Sequence, residues 1–228
     1  MSRTLEIKEN LEIVREKISE SASKAGRDPK DINLIVVTKT FGIEDLEILY
    51  ELGVREFGEN RDQEARKKVG QLPQDINWHF QGQIQSNKLK SICTWASFIH
   101  SVDQLNHARI ISENSQHSPK SIFIQVSLDS PPESRGGVDP NKLAELAENI
   151  SQFPGLKILG LMAVAPFEGQ ASDDFERLHS IQTLFLRDFP AAKYLSAGMS
   201  GDYEKAILFG ATHIRIGSSI LGKRMPNQ

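Results

Sequence analysis

The sequence predicts an α/β fold, a single (β/α)8 barrel of the TIM type, as one domain over residues 1–228 with an extra helix at its N-terminus. Eight short, strand-like runs recur along the chain, and segments long enough for one helix each separate them. The chain has 228 residues, slightly fewer than the roughly 250 typical of this fold, which leaves no room for a second domain. An open, doubly wound sheet stays as the alternative, because strand counts from one sequence miss or add elements.

The first predicted element is an amphipathic helix that ends at Gly26 and Pro29. Its apolar residues are spaced four, three and four positions apart, with charged residues between them. They are Ile7, Leu11, Val14 and Ile18. We expect this stripe to pack on the domain. A partner-binding or coiled-coil segment is the alternative, although barely two heptads are present.

The eight predicted strands are short apolar runs, several of them rich in β-branched residues. They cover residues 32–38, 54–57, 77–81, 97–101, 121–127, 157–161, 193–196 and 212–216. The run Leu34-Ile-Val-Val37 is continuous, which is typical of a strand buried on both faces in a parallel sheet. The helix before the sixth strand is well marked: Asp139 is its predicted N-cap and Pro140 its first residue. Its apolar stripe consists of Leu143, Leu146, Ala147 and Ile150.

Composition excludes several classes of function. The net charge of −3 and the pI of about 6.1 give no basic surface for nucleic acid. The sequence has no run of eighteen apolar residues and no signal-peptide core, so we expect a cytoplasmic protein without a membrane segment. One cysteine, Cys93, cannot form an intramolecular disulfide, and the histidines lack zinc-ligand spacing, so no metal site is expected.

Lys39 directly follows the first strand and is the first candidate functional residue. A strand-end lysine is in general a surface residue. The alternative is a Schiff-base lysine, whose pKa an apolar wall lowers so that the neutral amine attacks an aldehyde. One residue does not decide between these interpretations.

In a (β/α)8 barrel, the residues that follow the strands meet at one mouth, whereas the strand interiors fill the core. Polar, small or ionisable residues follow nearly every predicted strand. They include Lys39, Glu59-Asn60, Gly82-Gln83, Ser86-Asn87-Lys88, His100, Arg135-Gly136-Gly137, Met162-Ala163, Gly198–Asp202 and Gly217-Ser218-Ser219.

The last two of these loops have the composition of a phosphate-binding site. Glycines and serines between a strand and a helix let backbone N–H groups approach an anion, and hydroxyls add donors. Two such loops, Gly198–Asp202 and Gly217–Ser219, follow strands seven and eight, where barrels commonly bind phosphate. Either loop alone would be an ordinary turn; together they favour a phosphate site. Gly169, Gly210 and Gly222 are interpreted as turn and cap glycines.

A lysine and a phosphate site on one rim suit pyridoxal 5′-phosphate, which has both an aldehyde and a phosphate. The chain also resembles the pyridoxal phosphate homeostasis protein family, a single-domain relative of the N-terminal barrel of alanine racemase. The resemblance runs from about Leu34 to Gly222. It rests on linked motifs: Val37-Thr38-Lys39-Thr40, Phe57-Gly58-Glu59-Asn60, Trp78-His79-Phe80-Gln81-Gly82 with Gln85-Ser86-Asn87-Lys88, Gly160-Leu161-Met162-Ala163, Leu195–Ser200, and Arg215-Ile216-Gly217 with Gly222.

The resemblance implies a role for each matched residue. Lys39 would form the internal aldimine with pyridoxal phosphate, Arg215 would face the pyridine nitrogen, and Ser200, Gly217 and Ser218 would bind the phosphate. The residues implied to lie close to the cofactor are Asn60, His79 and Met199. Arg135 departs from the family pattern, which has a lysine there, and is given no role.

The implied position of Arg215 bears on chemistry. An arginine only donates hydrogen bonds, so it would keep the ring nitrogen unprotonated and the ring a poor electron sink. Racemisation also needs an acid–base group opposite the lysine, which in alanine racemase, as the resemblance implies, is a tyrosine of a partner's second domain. This chain has no such domain. Tyr203 is the one tyrosine near the predicted mouth and is a candidate for this acid–base group, although we favour its interpretation as a solvated residue of a first helical turn.

The leading hypothesis is a carrier or regulator that binds pyridoxal phosphate without robust catalysis. Its role in the homeostasis of vitamin B6 and of amino and keto acids is implied by the resemblance alone, and so are a monomeric state and transfer to apo-enzymes. An amino-acid racemase is the alternative. A Schiff-base aldolase acting on a phosphosugar is a more distant one.

Other single residues have two interpretations each. His100 is a proton shuttle at the mouth or a structural histidine at a strand end. Glu59 orients Lys39 or a neighbour, or faces water. His213 is interpreted as structural and Cys93 as a buried small residue.

Overall fold

A computed structural model describes residues 2–115, 118–129, 136–165 and 171–222. Eight parallel strands follow one another in chain order around a closed barrel, and β8 pairs with β1. They are β1 Asn33–Val37, β2 Glu56–Glu59, β3 Asn77–Phe80, β4 Phe98–Val102, β5 Lys120–Gln125, β6 Leu156–Met162, β7 Tyr194–Met199 and β8 His213–Ile216. The predicted (β/α)8 barrel is confirmed, and its closure rules out the open sheet.

Helices cover the outside of the barrel. They are α1 Arg3–Lys24, α2 Ile43–Glu51, α3 Asp62–Val69, α4 Ser86–Ile92, α5 Leu105–Glu113, α6 Leu143–Ser151, α7 Ala171–Asp188, α8 Tyr203–Leu208 and α9 Ser218–Leu221. The extra helix is α1, which precedes the first strand. Two 3-10 turns, Pro29–Asp31 and Pro140–Lys142, complete the described elements.

Helix α1 packs on the outside of the barrel. Its predicted stripe of Ile7, Leu11, Val14 and Ile18 is buried, and the helix contacts α2, α8 and α9. Each such side chain contributes about 1.5–3 kcal/mol when it is removed from water. The stripe therefore packs on the domain, as predicted, and is not available to a coiled-coil partner.

The turn before α6 differs from the prediction. Asp139 caps the 3-10 turn, where its side chain accepts a hydrogen bond from the Asn141 N–H, and α6 begins only at Leu143. The proline lies in that turn. The predicted stripe still faces inward, since Leu143, Ala147 and Ile150 are buried.

Two strands extend two or more residues further than predicted at their carboxyl ends. Strand β2 continues through Gly58 to Glu59, because Gly58 pairs with His79 in the parallel register. Strand β7 continues to Met199, whose partner is Arg215 on β8. Both extensions carry the strands towards the mouth where the predicted site residues lie.

The barrel interior contains polar as well as apolar side chains. Apolar residues such as Phe123, Leu159 and Met162 share it with polar ones, and the polar ones are hydrogen-bonded to one another. They are Glu56, His79, His100, Ser196 and Arg215.

Candidate functional site

Lys39 lies two residues beyond the end of β1 and is half buried. Strand alternation gives Val37 and Lys39 the same direction, and both line a cavity of about 570 Å³. This volume falls within the roughly 300–1,000 Å³ of small-molecule sites. The lysine is therefore part of a pocket wall.

The cavity collects most of the predicted site residues at the carboxyl ends of the strands. Seven of the eight line it: Lys39, Asn60, Met199, Ser200, Arg215, Gly217 and Ser218. Residues far apart in the chain meet here because β8 pairs with β1 and β7 pairs with β8.

A buried ion cluster holds the backbone on both sides of Lys39. The Lys68 ammonium nitrogen on α3 lies 2.8 Å from the Thr38 carbonyl oxygen and 2.7 Å from carboxylate oxygens of both Glu59 and Glu64. Glu64 in turn accepts a hydrogen bond from the Thr40 N–H. Thr40 has a φ of 71°, an uncommon conformation for a residue with a side chain. The cluster thus holds the backbone groups of the two residues that flank Lys39.

Glu59 belongs to this cluster and does not face water. Its side chain is fully buried, accepts a 2.7 Å hydrogen bond from the Thr38 hydroxyl, and leaves one carboxylate oxygen without a hydrogen-bond partner. Burial raises the pKa of Glu59, although the Lys68 ammonium acts against the shift. Of the two interpretations left open, Glu59 orients a neighbour.

The loops after β7 and β8 meet as the predicted anion site requires. The Ser200 hydroxyl oxygen lies 3.4 Å from the backbone nitrogens of Gly217 and Ser219. A Cβ on Gly217 would lie 3.0 Å from the Val37 carbonyl oxygen, so this backbone lies close against β1. Hydroxyl and N–H groups therefore converge at one end of the cavity.

Arg215 forms part of the cavity wall from inside the barrel. Its guanidinium donates to the Ser196 hydroxyl oxygen at 2.6 Å and to the Ala163 carbonyl oxygen at 3.0 Å. Burial lowers the pKa of Arg215 to about 10, so the side chain stays charged at neutral pH. A buried cation that reaches the cavity favours an anionic or hydrogen-bond-accepting ligand group.

His79 is the predicted site residue that does not line the cavity. It lies in the barrel interior, fully buried, with its Nε2 atom 2.6 Å from a carboxylate oxygen of Glu56. Burial lowers its pKa, although Glu56 acts in the opposite direction. Strand alternation gives Gln81, two residues further along, the position at the cavity wall.

Gln81 is a lining residue that the sequence analysis missed. The signal was available, because Gln81 shares a strand face with His79. Its side-chain nitrogen and the side-chain oxygen of Asn60 are buried without a hydrogen-bond partner. Phe41, Met162 and Val164 supply apolar wall. Two buried, unpartnered amide atoms beside Lys39 indicate a ligand with polar groups.

The prediction that Tyr203 is solvated is wrong. This residue is 3% exposed, not solvated, and burial raises its pKa to about 12. It does not line the Lys39 cavity. Gly198 explains the burial, since a Cβ there would lie 2.8 Å from the Tyr203 Cα, so β7 and α8 are in close contact.

Other predictions have mixed outcomes. His100 is not at a strand end: it lies inside β4, fully buried, so it is no shuttle at the mouth. His213 is buried at the start of β8 and Cys93 is buried, both as predicted. Gly210 and Gly222 have positive φ values in turn and cap positions. Arg135 and Gly169 lie outside the described residues.

Two properties of the described residues bear on other classes of function. Within residues 2–115, 118–129, 136–165 and 171–222, no group of three or more His, Cys, Asp or Glu side chains is placed to bind a metal ion. In the same part of the chain, no helix is both long and apolar enough to cross a membrane.

Several known proteins resemble this chain in sequence and structure. Residues 6–225 match the family of the N-terminal domain of alanine racemase. A pyridoxal phosphate homeostasis protein of Pseudomonas aeruginosa is 38% identical over 221 residues, 96% of each chain. Another, of Mycobacterium tuberculosis, is 35% identical over 244 residues, 97% of this chain and 94% of that one. The structure of PipY of Synechococcus elongatus with PLP bound has a TM-score of 0.79 at 32% identity and covers 90% of this chain and 100% of PipY.

Proposed function

Because this chain belongs to the family of the alanine racemase N-terminal domain and to the pyridoxal phosphate homeostasis proteins, we propose that it binds pyridoxal 5′-phosphate at Lys39 and serves the homeostasis of vitamin B6 and of amino and keto acids. One observation carries the proposal: a single cavity joins Lys39, Arg215 and the Ser200–Gly217 loops. When bound, pyridoxal phosphate supplies an aldehyde, which condenses with an amine to a carbon–nitrogen double bond and one water.

The residues of the cavity fit this cofactor. The hydroxyl of Ser200 and the backbone of Gly217 and Ser218 suit a phosphate, which accepts hydrogen bonds from such groups. The unpartnered side-chain oxygen of Asn60 can accept a hydrogen bond and the unpartnered side-chain nitrogen of Gln81 can donate one, which suits the oxygen substituents of the cofactor's pyridine ring.

The remaining lining residues complete the assignment. Arg215 would donate to the ring nitrogen of the bound cofactor, and Met199, which is 38% exposed, lies at the open edge of the cavity. The cluster of Lys68, Glu59 and Glu64 holds the backbone on which Lys39 is carried. Each proposed contact uses a residue that the cavity already brings together.

Covalent trapping tests the binding proposal. The protein is incubated with pyridoxal phosphate, reduced with borohydride and mapped by mass spectrometry. We expect one modified lysine, Lys39, and no modification in Lys39→Ala. The control is Lys67→Ala, which removes an exposed lysine of α3 outside the Lys39 cavity. Equal labelling and the same visible absorbance band in Lys39→Ala would disprove the assignment.

We further propose that the bound cofactor is carried without robust catalysis. Racemisation needs two acid–base groups on opposite faces of the reacting carbon. Among the described residues that line the cavity, Lys39 and Arg215 are the only titratable ones, and Tyr203 is buried elsewhere. Exchange of the α-proton of alanine in deuterated water measures the property directly. Multiple turnovers per minute would favour the racemase instead.

We propose that the chain acts as one domain over residues 1–228 and as a cytoplasmic monomer that passes pyridoxal phosphate to apo-enzymes. The single closed barrel supports one domain, and the exposed large apolar side chains on helices come from four different helices, which supports a monomer. They are Leu5, Ile13, Leu105, Leu184 and Leu208. Sedimentation equilibrium tests the monomer: a mass of twice 25.5 kDa would contradict it.

A further inference from the structure

A chain of four hydrogen bonds crosses the barrel interior from Arg215 to the opposite end of the barrel. Arg215 Nη1 lies 2.6 Å from Ser196 Oγ, which lies 2.8 Å from His100 Nδ1. His100 Nε2 lies 2.9 Å from His79 Nδ1, and His79 Nε2 lies 2.6 Å from Glu56 Oε2. Ser196 and both histidines have no exposed surface, so water does not compete for these bonds.

The two ends of this chain determine which atoms donate between them. A guanidinium only donates, so the Ser196 hydroxyl oxygen accepts from Arg215; a neutral His100 with its proton on Nε2 then accepts the Ser196 proton at Nδ1. A carboxylate only accepts, so His79 donates from Nε2 to Glu56. A neutral His79 then accepts at Nδ1 from His100 Nε2–H. All four bonds therefore point from Arg215 to Glu56, and both histidines carry their proton on Nε2.

The surroundings keep the two histidines neutral. Burial lowers the pKa of His79 and lowers that of His100 well below its usual value. Each ring stacks on a phenylalanine at a centroid distance of 4.4 Å, His79 on Phe98 and His100 on Phe123. The ionisable groups that face the pair are Glu56 on β2, and His213 and Arg215 on β8. Glu56 alone among these favours protonation.

We propose that Glu56, His79, His100 and Ser196 form a hydrogen-bond relay, in which every bond points from Arg215 towards Glu56. This relay positions Arg215 for its contact with the ring nitrogen of the cofactor. The inference rests on the proposed function. Of the five N–H donors of Arg215, one binds Ser196 and one binds the Ala163 carbonyl oxygen, which fixes the guanidinium plane. The remaining donors then have one orientation at the cavity wall. Residues at the far end of the barrel are thereby positioning residues for a group that they do not touch.

Nitrogen-15 NMR of the histidine rings tests the direction of the relay without any cofactor. At pH 7 we expect neutral Nε2–H tautomers for both His79 and His100. A protonated His79 would donate at both nitrogens, which would force His100 to accept at Nε2 and to carry its proton on Nδ1. An Nδ1–H tautomer at His100, or a charged ring at either position, would overturn the proposal.

Two ligands test the positioning role. One is pyridoxal phosphate, and the other is its deaza analogue, in which a C–H group replaces the ring nitrogen. Ser196→Ala should weaken binding of pyridoxal phosphate about tenfold and that of the analogue by less than about twofold, since one hydrogen bond to a charged group is removed. Glu56→Gln, which keeps an acceptor oxygen, should weaken the binding of pyridoxal phosphate about threefold and leave that of the analogue unchanged.

The control is Ser112→Ala, another buried serine, whose hydroxyl donates to the Pro154 carbonyl oxygen outside the barrel. We expect it to change neither affinity. If Ser196→Ala weakened both ligands equally, Ser196 would be merely structural and the proposal would fail. If the wild-type protein bound neither ligand, the proposed function would fail, and the histidine tautomers would still decide on the relay.

Discussion

The Lys68 ammonium nitrogen lies 2.8 Å from the carbonyl oxygen of Thr38, the residue that immediately precedes Lys39. The same ammonium neutralises Glu59, which is fully buried. One lysine of α3 thus both pairs with a buried carboxylate and holds the backbone of the lysine that carries the proposed function.

Replacement of Lys68 should affect stability and binding together. Lys68→Met leaves Glu59 as an unpaired buried charge, which typically costs about 3–5 kcal/mol of unfolding free energy. Urea unfolding measures this change, and a titration with pyridoxal phosphate should show weaker binding because the Thr38 carbonyl has lost its donor. Lys67→Met, on the exposed side of the same helix, should change stability by less than about 0.5 kcal/mol. An equally small effect in Lys68→Met would refute the role of the cluster.

Acid should destabilise the fold through its buried histidines. Burial lowers the pKa of His213 to about 4, against an ordinary value of 6.5, so the unfolded chain binds a proton that the folded one excludes. The contribution of His213 is complete above pH 6.5 and is lost as the pH falls towards 4. His79 and His100 act in the same direction, whereas Glu59, with its raised pKa, acts in the opposite one.

Removal of His213 isolates its share of this loss. Between pH 7 and pH 5, His213→Gln should lose about 2 kcal/mol less unfolding free energy than the wild type. Urea titrations at both pH values measure the difference. His179→Gln changes an exposed histidine of α7 and should follow the wild-type curve. If the two variants had the same pH dependence, His213 would not be the titrating group.

The Ser200 hydroxyl should matter for the phosphate and for no other part of the ligand. Ser200→Ala removes the oxygen that lies 3.4 Å from the Gly217 nitrogen, and it should weaken binding of pyridoxal phosphate about tenfold. Pyridoxal, which has no phosphate, serves as the matched ligand, and its affinity should stay the same. Equal losses for both compounds would place the phosphate elsewhere.

Gly82 permits a close approach of the loops after β2 and β3. A Cβ at this position would lie 2.3 Å from the Asn60 carbonyl oxygen, so Gly82→Ala should displace Asn60 and cost about 1–3 kcal/mol. Thermal or urea unfolding gives the cost, and pyridoxal phosphate affinity should fall because Asn60 lines the cavity. A Cβ at Gly70 would lie 3.9 Å from the Arg66 carbonyl oxygen, an ordinary van der Waals distance, so Gly70→Ala should change stability by no more than about 1 kcal/mol. If Gly82→Ala changed neither the unfolding free energy nor the affinity for pyridoxal phosphate, the close contact between Gly82 and Asn60 would be contradicted.

Much of the fold could be predicted because its signals are local. The run Leu34–Val37 is recognisable as a buried strand, and the position of Lys39 after it follows from the chain alone. Seven residues chosen from loop composition and family motifs do line one cavity, because parallel strands bring their carboxyl ends to one mouth.

The interior of the barrel could not be predicted in this way. His79, His100 and Ser196 are hydrogen-bonded partners only because the barrel closes in one register, and their separations in the chain are 21 and 96 residues. Lys68 was likewise not distinguishable from its charged neighbours on α3, since its burial depends on the unlike charge of Glu59 across the strand–helix contact.

Barrel closure sets an order of events during synthesis. Lys39 follows β1 and leaves the ribosome early, whereas Gly217 follows β8, and the two lie side by side only because β1 and β8 pair. A nascent chain that lacks its last strand therefore has Lys39 without the loop that contains Gly217. If the two together hold pyridoxal phosphate as proposed, the complete site would form only after the last strand has been made.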